Sequence, residues 1–217
     1  MREVSQSFIK PAGMEREAAI QWRSSNTTAQ ASIPISTVGH STHSIAEFVR
    51  MLRAHGIQQL ADVRTIPRSR HNPQFNRESL PASLAEAGIA YRHMPDLGGL
   101  RRAAKDSTNT GWRNASFRGY ADYMQTEAFH KALEELIEFA GARSTAIMCA
   151  EAVPWRCHRS LIADALVARG IPVLEILNAG EARPHAMTSF AKVCGAEVTY
   201  PAAEEEESMR LDFDGPA

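Results

Sequence analysis

The densest run of reactive side chains is Cys149-Ala150-Glu151, followed after two residues by Pro154-Trp155-Arg156-Cys157-His158-Arg159. The run leaves an apolar segment, STAIMCA, and leads into a helical pattern opened by Pro154. A thiol there meets the positive end of a helix dipole, and Arg156, His158 and Arg159 add positive charge. Both effects favour the thiolate, the nucleophilic and metal-binding form of cysteine. Glu151, one acid among these bases, is the best candidate for general acid/base work. The plainer reading makes Cys149 the end of a strand and Cys157 a packing residue of the helix, since free cysteines are often small buried hydrophobes.

Three further uses of the thiols stay open or are weakened by spacing. A phosphatase-type loop fits poorly, because six residues separate Cys149 from Arg156 and none is glycine. A zinc site built from Cys149, Cys157 and His158 is disfavoured by the expectation that Cys157 and His158, adjacent on a helix, point apart. No metal ligand is therefore assigned. A reversible Cys149–Cys157 disulfide is the third. Cys194, alone in KVCGAEV, reads as structural.

Other polar residues cluster at the ends of predicted strands. Asp62 and Arg64 follow IQQLADV, and Asp62 is a second catalytic candidate or simply the partner of Arg64. His40, Ser41 and Thr42 follow PISTVG and precede a helix, a fitting phosphate cradle, although Thr42 or Ser44 also suits plain N-capping. Two long loops mix arginine with aromatics. Arg64, Arg70, Arg118, Tyr120, Arg156, His158 and Arg159 are the expected contacts to a phosphate-bearing ligand, with guanidinium on phosphate and rings on bases. The alternative is a solvated loop anchored to the core by Phe117 and Tyr120.

These residues need a frame. Five short apolar runs alternate with amphipathic helical patterns, which predicts a three-layer α/β/α sandwich, Rossmann-like, with a mainly parallel sheet of about five strands. Ligands in such sheets bind beyond the carboxyl ends of the strands. That rule selects the segments after Gly39, Asp62, Arg92 and Cys149. The 217 residues read as a flexible N-terminal arm (1–32), one α/β domain (33–200) and an acidic disordered tail (201–217). The net charge of −1 hides an uneven distribution: ten bases face five acids between Leu60 and Arg118, and seven acids face one base from Glu197 onward. No run approaches a membrane span, no secretory h-region opens the chain, and three cysteines are too few for a disulfide scaffold. The expectation is a cytoplasmic protein with reduced thiols and no membrane partner.

The ordered motifs TVGHSTHS, ADVR with P-x-S-R and F-N, GG-R, F-R-G-Y-A-D-Y-M and C-A-E-x-x-P-x-x-C-H-R resemble domain-of-unknown-function family 488 over about Ile33 to Leu177. The matching positions are Gly39, His40, Ser41, Asp62, Arg64, Pro67, Arg70, Phe75, Arg118, Gly119, Tyr120, Cys149, Glu151, Pro154, Cys157, His158 and Arg159. The resemblance implies a small α/β protein marked by its cysteines, without an agreed activity or cofactor. The reading that follows is an enzyme acting on a nucleotide or nucleic acid. Its rivals are a non-catalytic nucleic-acid-binding protein and a thiol or zinc sensor.

Overall fold

The computed structural model describes residues 33–202, and the expected N-terminal arm and nearly all of the acidic tail lie outside them. The chain begins with β1 (Ile35–Gly39), whose five residues are all buried. The polar turn after it ends at Ser44, which caps α1 (Ile45–Ala54). The Ser44 hydroxyl accepts from the Glu47 amide at 3.2 Å, and the Glu47 carboxylate accepts from the Ser44 amide at 2.9 Å. Satisfying free helical N–H groups in this way contributes about 1 kcal/mol and fixes where the turn stops. Phe48, Met51 and Leu52 form the inward stripe of α1, and Gly56, at φ +64°, ends it.

The remaining frame follows in chain order: β2 (Gln59–Asp62), α2 (Leu80–Glu86), β3 (Ala90–His93), α3 (Ala115–Tyr123), α4 (Glu127–Ala140), β4 (Thr145–Cys149), α5 (Arg159–Ala168) and β5 (Val173–Asn178). The strands lie in the order β3-β2-β4-β1-β5, all parallel. Side-chain alternation divides the core. Val38, Leu60, Ala146, Met148 and Ile176 pack with α1 and α2, while Ile35, Ala61, Ile147 and Val173 pack with α3, α4 and α5. This is the expected Rossmann-like α/β fold. Each fully buried aliphatic side chain, such as Leu52 or Leu60, contributes about 1.5–3 kcal/mol.

Two features exceed the expectation. An antiparallel sixth strand, β6 (Glu181–Pro184), joins β5, and a separate hairpin pairs β7 (Lys192–Cys194) with β8 (Glu197–Thr199). Strands of three or four residues with at most one buried position carry little alternation to read. Among the described residues, no helix is long and apolar enough to cross a membrane.

The strand order matters for chemistry. β4 lies between β1 and β2, with Gly39 beside Cys149 and Asp62 beside Met148. All four selected strand ends therefore lie side by side, in the order β3-β2-β4-β1. The pairing continues past the sheet, as the amides of His40 and Ser41 donate to the carbonyls of Cys149 and Ala150 at 3.0 and 2.9 Å.

Candidate functional site

Beneath the strand ends lies a buried ionic lattice. Arg64 grips Asp62 through Nε at 2.8 Å and a terminal nitrogen at 2.6 Å, and donates to the Phe75 carbonyl at 2.8 Å. Tyr91 adds its hydroxyl to the same carboxylate at 2.8 Å. Asp62 is 0% exposed with both oxygens occupied. Of the two readings of Asp62, the geometry shows the pairing with Arg64, whose charge it neutralises. His40 completes the lattice. Its Nδ1 lies 2.9 Å from the Ser41 carbonyl, which only accepts, so Nδ1 carries the proton. Nε2 is then free to accept from Arg64 at 3.1 Å. Burial, with the Arg64 charge beside it, lowers the His40 pKa and keeps the ring neutral. The ring stacks on Phe75 at 4.2 Å.

Beside this lattice the two thiols meet an imidazole. Cys149 Sγ lies 3.9 Å and Cys157 Sγ 3.7 Å from Nδ1 of His158. His158 Nε2 lies 3.1 Å from the Val63 carbonyl and donates to it, which leaves Nδ1 without a proton in the neutral ring. The Cys157 thiol, donating to Cys149, holds the Cys149 thiol well below its ordinary range against the effect of burial, and the nearby Arg159 charge acts in the same direction. As the donor of that bond, and as a buried group, Cys157 is pushed up and keeps its proton.

The convergence corrects the expectation that Cys157 and His158 diverge on a helix. Pro154–Arg156 forms a separate 3₁₀ turn, Cys157 is extended at φ −135° and ψ 141°, and α5 starts only at Arg159. Adjacent residues outside a helix are free to aim at one point. Gly99 brings the second long loop against the ring, since a Cβ on it would lie 2.5 Å from His158 Nδ1.

Arg159 and Tyr120 also change role. Arg159 is 0% exposed, and its guanidinium donates to the carbonyls of Glu151 and Ala152. It clamps the loop that carries Glu151. Tyr120 is fully buried, gives its hydroxyl to the Leu97 carbonyl at 2.9 Å, and supports the His158 ring at 5.0 Å. Arg118 donates to the Trp112 carbonyl at 3.1 Å and, like exposed Arg70, does not line the cleft.

The cleft holds about 460 Å³ and is lined by Arg64, Gly99, Phe117, Cys149, Glu151, Arg156 and His158, with exposed Ile66 and Leu100 on its rim. A second hollow of about 430 Å³ shares Arg64, Ile66, Ala150 and Glu151 and adds His40, Ser41, Thr42, Arg68 and Asn72. Glu151 is thus common to both hollows, and no ion pair among the described residues engages its carboxylate. Ser41 borders the second hollow with φ +46°, a left-handed conformation that L residues seldom adopt and that often marks functional turns. Of the residues lining these hollows, Gly99, Arg68, Ile66, Leu100 and Phe117 were not among the expected ligand contacts. The Gly98-Gly99 pair was the visible signal, since paired glycines mark close backbone approach.

Comparisons with curated proteins and with solved structures return no match. The model of the family described as domain of unknown function DUF488 matches residues 44–166, which takes in the Asp62–Arg64 lattice, Gly99, both converging cysteines, Glu151 and His158 but leaves β1 and His40 outside it. With more than half of its residues so matched, the chain belongs to that family.

Proposed function

We propose that the protein is an enzyme acting on a phosphate-bearing ligand, a nucleotide or a nucleic acid. One observation carries the reading: Cys149, Glu151, Arg64 and Arg156 line a single open cleft at the carboxyl ends of adjacent strands. Arg156 supplies the positive charge for an anion, Arg64 lines the same cleft with its charge balanced by Asp62, and guanidinium groups suit phosphate oxygens. Ile66, Leu100 and Phe117 supply an apolar wall for the body that carries the phosphate. Glu151 is the general acid/base, because its carboxylate is exposed, without an ion pair among the described residues, and held on a clamped loop. The thiol–imidazole cluster forms the reactive floor.

The test is a turnover screen against nucleoside mono- and triphosphates and short single- and double-stranded DNA and RNA. Glu151→Gln and Cys149→Ser are expected to lower turnover at least about 100-fold, the usual scale for loss of a proton-transfer group, while leaving thermal unfolding unchanged. Full activity in either variant would end the assignment. Salt-steep nucleic-acid binding, indifferent to Cys149→Ser and without turnover of any substrate, would replace it with a binding protein.

A further inference from the structure

We propose that Cys149 Sγ, Cys157 Sγ and His158 Nδ1 bind one zinc ion on the floor of the cleft, with a fourth coordination position open to the space that Glu151 lines. The proposal rests on the cleft described above and deepens that reading by naming what its thiol floor holds. The three donor atoms all lie within 4.8 Å of one another. In a tetrahedral site with Zn–S near 2.3 Å and Zn–N near 2.0–2.1 Å, the donors stand roughly 3.5–3.8 Å apart. The observed thiol–imidazole separations of 3.9 and 3.7 Å lie close to that spacing, slightly on the long side.

Three independent features are consistent with metal binding. First, His158 gives its Nε2 proton to the Val63 carbonyl, so the nitrogen facing the thiols is the bare one. A ligating histidine is oriented this way by its outer hydrogen bond. Secondly, the buried Arg159 guanidinium meets only carbonyls, and no ion pair among the described residues supplies it with a carboxylate. That charge favours ionised sulfur beside it, and the thiolate is the form of cysteine that binds a metal. Thirdly, Cys157 at 3% exposure is sealed beneath the site, while Cys149 at 8% and His158 border the cleft. Closed on the protein side and open on the other, this is the arrangement of a three-ligand zinc site with a free position, and two sulfurs with one imidazole select zinc over harder cations.

The test reads metal, not turnover. Full-length protein, with its thiols kept reduced, is titrated with zinc chloride alone and with cobalt(II) as a spectroscopic probe. The expected result is one equivalent bound, with sulfur-to-cobalt charge transfer and the visible bands of a tetrahedral ion. Cys149→Ser, Cys157→Ser and His158→Gln should each weaken binding more than about 100-fold, since loss of an outer-shell partner alone costs 10–100-fold. Cys194→Ser should bind as wild type, because exposed Cys194 lies on β7, outside the cluster. Glu151→Gln should also bind normally, as it removes no ligand. Absence of zinc uptake by the reduced protein, or uptake that survives loss of Cys149 and Cys157, overturns the site. Zinc binding without turnover of any phosphate compound would overturn the proposed activity and leave the metal site standing; turnover without zinc would do the reverse.

Discussion

His185, which follows β6, makes the pH dependence of folding measurable. Its Nε2 lies 2.8 Å from Asp164 on α5 and its Nδ1 2.8 Å from Glu175 on β5. A neutral imidazole has one N–H and serves only one carboxylate, so the geometry requires the cation. Burial lowers its pKa, but the hydrogen bonds to Asp164 and Glu175 prevail and raise it from 6.5 to about 9. At about 1.36 kcal/mol per unit this shift converts to roughly 3 kcal/mol, and access of solvent through half-exposed Arg183 trims it to about 2–3 kcal/mol. Because the folded pKa is the higher one, this stability is fully present below about pH 6.5 and is lost as pH rises through about 9. His185→Gln keeps a polar side chain but removes the titration. Urea unfolding of wild type and variant is compared at about pH 6, 7.5 and 9.5, and the difference between them cancels the titration of groups common to both. The expected difference shrinks by about 2–3 kcal/mol across that range. A difference constant to within about 0.5 kcal/mol would refute the charged-histidine account. At low pH the variant should be destabilised without losing its fold, since Asp164 retains the Thr188 amide at 3.1 Å and the Tyr200 hydroxyl at 2.8 Å.

Two further perturbations test how the site is held. Tyr91→Phe removes one hydrogen bond from the buried Asp62 carboxylate and should cost about 1.5–3 kcal/mol in urea unfolding, as expected for a bond to a charged group; a neutral result would mean that the hydroxyl does not support the ionic lattice. Gly99→Ala puts a Cβ against a His158 ring already tethered to Val63, and should cost about 1–3 kcal/mol through overpacking. Gly141→Ala, where the nearest atom would be 3.5 Å away, should be close to neutral by the same thermal or urea measurement, and equal losses at both glycines would reject the steric argument.

The frame was legible because it rests on local periodicity. The inward stripe of α1, its Ser44 cap and the fully buried β1 and β4 are patterns within ten residues or fewer, and the five parallel strands came from reading them in order. The neighbouring positions of Cys149 and Glu151 are likewise a matter of primary structure. Side-chain duty was not legible in the same way. Arg64, Arg118 and Arg159 look alike in sequence, yet one borders the cleft while gripping Asp62, one holds a loop carbonyl, and one is sealed beneath the Glu151 loop. A guanidinium reads as an anion contact until its donors are counted, and the carbonyls that occupy them come from other segments.

By itself the sequence determined that a thiol, a carboxylate and an imidazole would follow one strand end together, because only nine positions of chain separate Cys149 from His158. Only the tertiary structure decided that Cys157 and His158 aim at one point, since that depends on where the helix begins. It begins at Arg159, after a proline turn, extended Cys157 and the N-cap His158. The same holds for the bare nitrogen of His158, whose proton is directed by the Val63 carbonyl, ninety-five residues away in the chain. Hydrogen-bond direction and side-chain convergence are properties of the packed strands and loops, and periodicity carries no record of them.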